Sequence, residues 1–412
     1  MAEVIPFRGI LYNPKRVKGS DVMAPPYDII TPEIRGELYR KSPYNIVRID
    51  AGVERASDTN SDNKYTRAAS YLTKWLEEGI LKRSDRPCFY AYEMEYSFFG
   101  EKKRLRGFFG LVRLVELGMG VYPHECTHSK PKADRLRLMM TCLANTSPIF
   151  SLYHSDKKVA SSIVNEVCKK TPYIEAVEKD VNHRMWIIEE DNYIEGIVAD
   201  LSDKPILIAD GHHRYETALE FQRIMKEKSG ALRGDEPFNY VLMFLANIAE
   251  GDITILPAHR LIHYNGKDLI ERLRGYFDIH KIPLKDDIIE SIRGKERTLG
   301  LMMKGEEMQY LLRFRGDDMK DINPVLRDLD VVILHDLIFK RLLNVSDIHY
   351  EMDITVSRSL ISGGSYDAGF FLNPTKVEDV ERVALSSMRM PPKSTYFYPK
   401  VMTGFVINSL KN

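Results

Sequence analysis

The sequence has few cysteines, no long apolar run and no N-terminal signal. Four cysteines among 412 residues form neither a CxxC pair nor a dense framework, which favours reduced thiols and argues against a zinc site. No stretch approaches the roughly 20 apolar residues that cross a bilayer, and residues 1–12 lack the apolar core of a secretory signal. We therefore expect a cytoplasmic protein without a membrane partner.

Neither sign of charge is in excess. Lys and Arg total 59, and Asp and Glu also total 59, so the net charge is zero. Proteins that bind nucleic acid or an anionic membrane usually carry a basic surplus. We expect no nucleic-acid partner, and any site for an anion must be local.

Several motifs of phosphate and cofactor enzymes are also missing. The sequence has no GxxxxGK[ST] loop, no kinase HRD or DFG set and no GxSxG elbow. Gly-x-Gly occurs only at residues 118–120, without a third glycine or a following helix. A P-loop, a dinucleotide-binding fold, a protein kinase and an α/β-hydrolase are therefore not supported.

The spacing of apolar residues predicts regular elements in the first half of the chain. Residues 61–82 and 132–143 have helical spacing. Residues 87–121 have the pattern of a β-meander, in which strand-like segments are separated by turn residues, with one turn at Phe99-Gly100. This half therefore combines helices with antiparallel strands.

A short apolar run over residues 205–209 predicts a buried strand, which leads into a helix that ends near Lys228. Residues 240–248 and 253–262 form two more apolar runs. We expect both to be strands beside the 205–209 strand.

The pattern predicts an α+β fold of mixed β-sheets with flanking helices. A soft boundary near Ser202 separates an N-terminal α+β lobe (1–201), which holds the meander and the loop after it, from a C-terminal lobe (202–412). Residues of about 264–350 alternate helical and strand patterns and suggest a subdomain inserted in the second lobe.

The segment from Ala209 to Tyr215 (ADGHHRY) carries the strongest chemical signal. A buried strand ends at Asp210, Gly211 allows a tight turn, and a helix begins within the two histidines. Free N–H groups at a helix start suit phosphate oxygens, and Arg214 adds a fixed cation with a fork of donors. Asp210 could hold Mg²⁺ directly or through water.

The alternative is that the same segment has only a structural role. Asp210 could cap the helix, and Tyr215, Ala218 and Leu219 could form its buried face. Adjacent histidine and arginine side chains are costly to desolvate without a ligand, which favours the functional reading. Two adjacent histidines on a helix diverge by about 100° and rarely chelate one metal ion.

A second cluster of polar residues follows the meander, over residues 123–135 (PHECTHSKPKADR). Loops on rigid scaffolds often hold reacting groups. Glu125 is the candidate general base for a substrate hydroxyl, His124 would contact the substrate, and Lys130, Lys132 and Arg135 could neutralise a phosphoryl group. The alternative is a solvated charged loop with a helix start.

Two proline-rich segments complete the candidate site. In residues 390–400 (MPPKSTYFYPK), Lys393, Ser394 and Tyr396 could close over a ligand. The alternative is an ordinary C-terminal strand. In APPYD, Tyr27 and Asp28 could line a pocket or form a structural turn.

These segments, with SPYNIVRID, ANTSPIFSLY, LPAHRLI and FFLNPT, resemble a bacterial and archaeal family known as domain of unknown function 1015, from about residue 5 to 408. The Asp-Gly-His-His-Arg segment also looks like the signature of the ParB and sulfiredoxin-like superfamily. That superfamily includes free serine kinases, which make O-phosphoserine for cysteine synthesis. The resemblance implies a ParB/sulfiredoxin-like core with a large additional lobe.

The same resemblance implies that Asp210, His212, His213 and Arg214 form a phosphate and metal site. Glu125 as the base is a choice from local chemistry. The chain departs from ParB proteins because it lacks a helix-turn-helix module and a basic face, so DNA binding is not expected. It departs from sulfiredoxin because histidines, rather than a cysteine, stand beside the arginine.

The prediction is a free L-serine kinase that uses ATP, ADP or pyrophosphate with Mg²⁺. Its partners would be L-serine and the phosphate donor, and a homodimer stays open. Two alternatives remain: a phosphatase or nucleotide hydrolase, in which water replaces the serine hydroxyl, and a nucleotide-binding regulatory protein without catalysis. In the predicted kinase, Gly211 belongs to the phosphate-binding turn.

Overall fold

A computed structural model gives the fold of residues 3–126, 130–229, 233–266, 268–316 and 319–411. The chain divides into two compact units. Unit 1 comprises Met1–Pro123, Thr127–Ile253 and Pro399–Asn412, and unit 2 comprises His124–Cys126 and Thr254–Tyr398. Among the described residues, no helix combines the length and the apolar character needed to cross a bilayer.

Unit 1 is built on one large mixed sheet. Its strands are β1 (Val4–Ile5), β2 (Ile10–Tyr12), β3 (Leu81–Arg83), β4 (Phe89–Phe98), β5 (Glu101–Arg113), β6 (Val121–Tyr122), β7 (Ala144–Asn145), β8 (Ile149–Tyr153), β9 (Ile174–Glu178), β10 (Val181–Ile188), β11 (Ile206–Asp210) and β12 (Tyr240–Asn247). Within the described residues, nine of them form the sheet, in the order β6-β11-β8-β12-β5-β4-β10-β9 with β1 on β5. The pairs β6–β11 and β8–β12 are parallel, and the other pairs are antiparallel.

The helices of unit 1 flank this sheet. They are α1 (Gly19–Val22), α2 (Pro32–Lys41), α3 (Val47–Asp50), α4 (Lys64–Glu77), α5 (Lys130–Cys142), α6 (Val159–Val167), α7 (Asp191–Leu201) and α8 (His212–Lys228), with 3-10 turns at Tyr27–Ile29, Pro237–Asn239 and Ile248–Glu250. Apolar residues of α6, α7 and α8 pack with those of the sheet in the main core. All eight residues of β12 are buried, as expected for a central strand covered on both faces.

Local chemistry explains where the predicted elements begin and end. The predicted helix over 61–82 is shorter, because the Asn63 side chain accepts hydrogen bonds from the first turn of α4 and a capping box fixes the start there. The turn at Phe99 and Gly100 joins β4 to β5 with positive φ at both residues, as in the type I′ turn that is common in two-residue hairpins.

The expected neighbours of the 205–209 strand were wrong. This strand, β11, pairs with β6 and β8. The fully buried strand β8 lies between β11 and β12, and its short apolar run was not recognised. The 253–262 region forms strands of unit 2.

Unit 2 has its own sheet and core. Its strands are β13 (Thr254–Leu256), β14 (His259–Ile262), β15 (Phe277–Pro283), β16 (Thr298–Met303), β17 (Met308–Phe314), β18 (Ile348–Glu351), β19 (Ala368–Phe371) and β20 (Tyr396–Tyr398). The order β15-β17-β16-β19-β14-β18 forms one sheet, and β13 pairs with β20. Its helices are α9 (Leu269–Arg274), α10 (Ile288–Ile292), α11 (Asp330–Val332), the π-helical Ile333–Leu343, α12 (Ile354–Ser362) and α13 (Val377–Leu385). The last strand, β21 (Asn408–Ser409), pairs with β7 in unit 1.

This division differs from the boundary expected near Ser202 and from the expected insertion over 264–350. Strands β8 and β11 lie on opposite sides of Ser202 in sequence but pair in one sheet. Strands β14 and β19 lie on opposite sides of the 264–350 segment and also pair. Hydrogen bonding between strands distant in sequence therefore sets the units. The α+β class with mixed sheets is confirmed.

Candidate functional site

The candidate site in unit 1 begins at a strand–turn–helix junction. Strand β11 ends at Asp210, Gly211 has φ +102°, and α8 begins at His212. A Cβ atom on Gly211 would lie 2.8 Å from Nε of Arg214. Both the backbone angle and the close approach therefore require glycine at this position.

Asp210 is held between two cations. Lys400 Nζ lies 2.8 Å from Oδ1, and Arg214 Nη2 lies 2.6 Å from Oδ2. Burial raises the pKa of Asp210, but the charges of Lys400 and Arg214 outweigh it and hold the pKa well below its usual value. Two cationic side chains are thus held together by one carboxylate beside the start of α8.

Arg214 is fixed by further contacts. Its Nη1 donates to Ser147 Oγ at 3.1 Å and to the Pro148 carbonyl oxygen, and the residue is 8% exposed. Gly211, His212 and His213, by contrast, remain partly exposed. The start of α8 therefore lies partly exposed beside a buried, hydrogen-bonded cation.

A second polar cluster in unit 1 is centred on Arg135. Its guanidinium lies 4.2 Å from the ring centroid of Tyr27, contacts Asp134 at 2.6 Å and donates to the Asp50 carbonyl oxygen at 2.7 Å. Burial raises the pKa of Tyr27 to about 12, although the charges of Arg214 and Arg135 act in the opposite direction. Tyr27 is thus a neutral phenol close to both arginines.

Three further candidate residues come from the predicted loop and from the Ala24–Asp28 segment. Lys132 forms an ion pair with Glu216 of α8, and Asp28 is exposed in the Tyr27–Ile29 turn. The side chain of Lys130 lies outside the described residues.

Two cavities border the Arg135 cluster. The smaller, of about 30 Å³, is bounded by Asp50, Arg135, Ser147, Arg214 and Thr217, among others. The larger, of about 250 Å³, is lined by Tyr27, Arg35, Ile49, Asp50, Ala51, Gly52, Glu54, Lys64, Tyr65, Asp134, Arg135 and Leu138. Arg135 and Asp50 contribute to both, so the larger cavity adjoins the one that reaches Arg214.

Unit 2 brings the predicted residues 124–126 together with the segment 390–396. Glu125 Oε1 accepts the Lys393 backbone N–H at 2.8 Å, and His124 Nε2 lies 2.8 Å from Thr395 Oγ1. Ser394 is buried and its hydroxyl donates to the Pro391 carbonyl oxygen. This hydroxyl therefore has an internal partner.

Two residues of the unit 1 site were missed. Lys400 ends the quoted segment MPPKSTYFYPK, and Asp50 ends SPYNIVRID, so their position at the end of recognisable segments was the available signal. Neither position has a local signal for a role, because the partners are remote: 190 residues separate Lys400 from Asp210, and 85 separate Asp50 from Arg135. Tyr396, in β20, was predicted to bind substrate and pairs in unit 2 with Leu256.

The fold and site define an α+β protein with a polar site at the junction of a central sheet strand and a helix. The chain belongs to the family described as "Protein of unknown function (DUF1015)", whose model matches residues 4–332. No curated protein matches the sequence. The relation to the ParB and sulfiredoxin-like superfamily stays a prediction.

Several solved structures are similar to this chain. A free serine kinase variant in complex with AMP is 12% identical, with a TM-score of 0.38, over 70% of this chain and 87% of that chain. A conserved hypothetical protein from Pyrococcus furiosus is 14% identical, with a TM-score of 0.37, over 73% and 95%. C-terminally truncated SbnI from Staphylococcus aureus is 12% identical, with a TM-score of 0.39, over 74% and 89%. These similarities say nothing of the reaction of this chain.

Proposed function

We propose that this chain is a phosphotransferase that phosphorylates a small hydroxyl compound, free L-serine, from ATP, ADP or pyrophosphate. The observation that carries the proposal is the pair of cationic side chains held beside the partly exposed turn at Gly211. Lys400 and Arg214 both contact the carboxylate of Asp210. Phosphoryl transfer depends mainly on positioning and on charge stabilisation, and this arrangement supplies both.

The phosphate of the donor would bind at the start of α8. The N–H groups of the first turn have no partners within the helix, and the helix dipole favours an anion there. Arg214 is already fixed by Ser147 and Pro148, so little ordering would be needed on binding. His212 and His213 are partly exposed beside the turn and would contact phosphate oxygens.

Lys132 and Arg135 are less suited to phosphate than the sequence suggested. Lys132 is paired with Glu216, and Arg135 is paired with Asp134 and Asp50. Their charges are therefore largely compensated, and the proposal assigns the phosphate to Arg214 and Lys400.

The carboxylate oxygens of Asp210 are not free to coordinate Mg²⁺ directly. Both of its carboxylate oxygens already contact cations, whereas Mg²⁺ requires oxygen ligands free to approach at about 2.1 Å. Within the described ranges, no group of three or more His, Cys, Asp or Glu residues could hold a metal ion. The proposal therefore does not use Asp210 as a metal ligand.

A product assay tests the function. The purified protein would be incubated with L-serine and each of ATP, ADP and pyrophosphate, and ³¹P NMR would follow O-phosphoserine and inorganic phosphate. O-phosphoserine that requires both serine and a donor is the expected product. Phosphate release without serine would instead identify a hydrolase, and nucleotide binding without turnover would identify a regulatory protein.

Arg214→Ala tests the residue on which the proposal depends most. We expect kcat to fall by about 10² to 10³, the usual loss when one strong electrostatic contact to a transition state is removed. Arg223→Ala is the matched control, because Arg223 lies on the same helix but is exposed and paired with Glu220 and Glu227. Equal turnover of the two folded variants, checked by circular dichroism, would remove Arg214 from the mechanism.

A further inference from the structure

The guanidinium of Arg214 has one anchored edge and one edge that faces the turn. Its Nη1 donates to Ser147 Oγ at 3.1 Å and to the Pro148 carbonyl oxygen. A Cβ atom on Gly211 would lie 2.8 Å from Nε and 3.0 Å from Nη2. The Nη1 edge is thus held by the segment before β8, and the Nε–Nη2 edge lies against the turn at Gly211.

Ser147 is itself held by a second hydroxyl. Thr403 Oγ1 donates to Ser147 Oγ at 3.0 Å. Because arginine can only donate, the serine oxygen accepts hydrogen bonds from both Arg214 and Thr403. A serine side chain can adopt three staggered rotamers, and the hydrogen bond from Thr403 favours the rotamer that reaches Arg214.

Thr403 is a rigid partner for this serine. It is fully buried, its N–H donates to the Ala24 carbonyl oxygen at 2.8 Å, and its own carbonyl oxygen accepts the Ala24 N–H at 3.2 Å. The branched Cβ of threonine further restricts χ1. The position of Ser147 Oγ is consequently set by the backbone of residues 399–403.

The same segment reaches Arg214 by a second route. Lys400 Nζ lies 2.8 Å from Asp210 Oδ1, and Asp210 Oδ2 lies 2.6 Å from Arg214 Nη2. Residues 399–403 therefore hold the guanidinium from two directions, through Ser147 and through Asp210. Because the hydroxyl route carries no charge, its removal changes the placement of Arg214 and leaves the charge of the site unchanged.

We propose that Ser147 and Thr403 are positioning residues for Arg214, which hold its Nη1 edge so that Nε and Nη2 stay against the turn at Gly211. The inference rests on the proposed function, in which Arg214 contacts the phosphate of the donor. A guanidinium that must be ordered again in each turnover stabilises the transition state less. The two hydroxyls should therefore act on kcat, and only through Arg214.

Removal of each hydroxyl tests the assignment. Ser147→Ala and the nearly isosteric Thr403→Val should each lower kcat by about 10-fold with little change in KM for serine, since misplacing a catalytic contact by about 1 Å can cost about 10²-fold. Thr403→Ser keeps the donor and should keep the native kcat. Native kcat in both Ser147→Ala and Thr403→Val would overturn the assignment.

Ser155→Ala is the matched control. Ser155 follows β8 as Ser147 precedes it, and its buried hydroxyl donates to Asp200 Oδ1 at 2.7 Å. The variant therefore also loses a hydrogen bond to a charged side chain in unit 1. We expect it to lose stability in urea unfolding and to retain the native kcat. An equal fall in kcat would show a general effect of destabilisation and would overturn the assignment.

A double-mutant cycle shows whether the effect passes through Arg214. In the Arg214→Ala background, neither Ser147→Ala nor Thr403→Val should lower kcat further, because the side chain that they position is gone. A further loss of the same size would mean that the hydroxyls act independently of Arg214, and the assignment would be wrong.

The two proposals fail in distinguishable ways. Isothermal calorimetry with pyrophosphate follows the site without turnover, and Ser147→Ala should weaken binding in the native background but not in Arg214→Ala. If O-phosphoserine forms and both hydroxyl variants keep the native kcat, the positioning is wrong and the function stands. If pyrophosphate binding shows this coupling but no donor yields O-phosphoserine, the positioning stands and the kinase proposal fails. If the native protein neither binds pyrophosphate nor forms product, both fail.

Discussion

Asp210 determines how much positive charge the turn at Gly211 presents. It contacts both Lys400 and Arg214, so it holds two cations beside each other. Without the carboxylate the cations would repel each other, and without either cation the turn would be less positive. The residue therefore organises the site even if it never contacts a ligand.

Gly211→Ala should damage the site through the backbone. The new Cβ would need φ +102° and would lie 2.8 Å from Arg214 Nε, so we expect a loss of about 2 kcal/mol in the free energy of unfolding and about 10²-fold in kcat. Gly251→Ala is the control, because Gly251 also has positive φ (+77°) but faces open space. Urea unfolding and the product assay would check both, and equal losses would show that the contact with Arg214 is irrelevant.

Glu125→Gln separates a chemical role from a structural one. The amide oxygen can still accept the Lys393 N–H that Oε1 accepts at 2.8 Å, but an amide cannot take a proton. If Glu125 is the general base, kcat should fall by about 10² to 10⁴ with little change in stability. Steady-state kinetics and urea unfolding measure the two effects, and unchanged kcat would leave Glu125 with a structural role.

At the scale of elements, the segment after Pro392 is held by residues remote in sequence. Glu125 accepts the backbone N–H of Lys393, and Arg260 Nη2 donates to its carbonyl oxygen at 2.9 Å. Arg260 is fully buried, and burial lowers its pKa to about 10, which leaves it charged at neutral pH. Lys393 itself has φ +60°, a conformation that costs a non-glycine residue about 1 to 2 kcal/mol.

Lys393→Gly should therefore separate stability from activity. Glycine removes the cost of positive φ, so the free energy of unfolding should rise by about 0.5 kcal/mol after the added chain entropy is counted. If the Lys393 side chain closes over the ligand as predicted, kcat/KM should fall. Ser387→Gly, also at positive φ (+55°) in unit 2, should give the same gain without a kinetic change, and a kinetic change common to both would contradict the assignment to Lys393.

The sequence predicted the elements whose signals are local. The hairpin turn at Phe99-Gly100, helices α4 and α5, and the junction of β11 with α8 all follow from periodicity and turn chemistry within a few residues. The order of the strands was not predicted, because it depends on pairing between strands that are distant in sequence. Strand β8 lies between β11 and β12 in the sheet. The contacts of Asp210 with Lys400 and of Arg135 with Asp50 were not predicted either, because these residues are also distant in sequence.

At the scale of the whole molecule, both units bury histidines as neutral groups. Burial lowers the pKa of His183 in unit 1 to about 3, and those of His259 and His335 in unit 2 to about 4 and about 3. The Tyr92 hydroxyl oxygen lies 2.7 Å from Nδ1 of His183. His183 is buried in the core, where a charged imidazolium loses its hydration, and this burial lowers the pKa.

Stability should consequently fall as the pH drops below about 6.5, the pKa of an unfolded histidine. Because the folded pKa is the lower one, the unfolded state binds more protons between pH 6.5 and about 3, so the contribution is complete above 6.5 and is lost as the pH falls. Each histidine should contribute a slope of about 1.4 kcal/mol per pH unit. Urea unfolding from pH 8 to 5 would measure it, with His183→Asn reducing the slope for unit 1 and exposed His280→Asn leaving it unchanged. A slope unaffected by His183→Asn would mean that this histidine is not the group that titrates on unfolding.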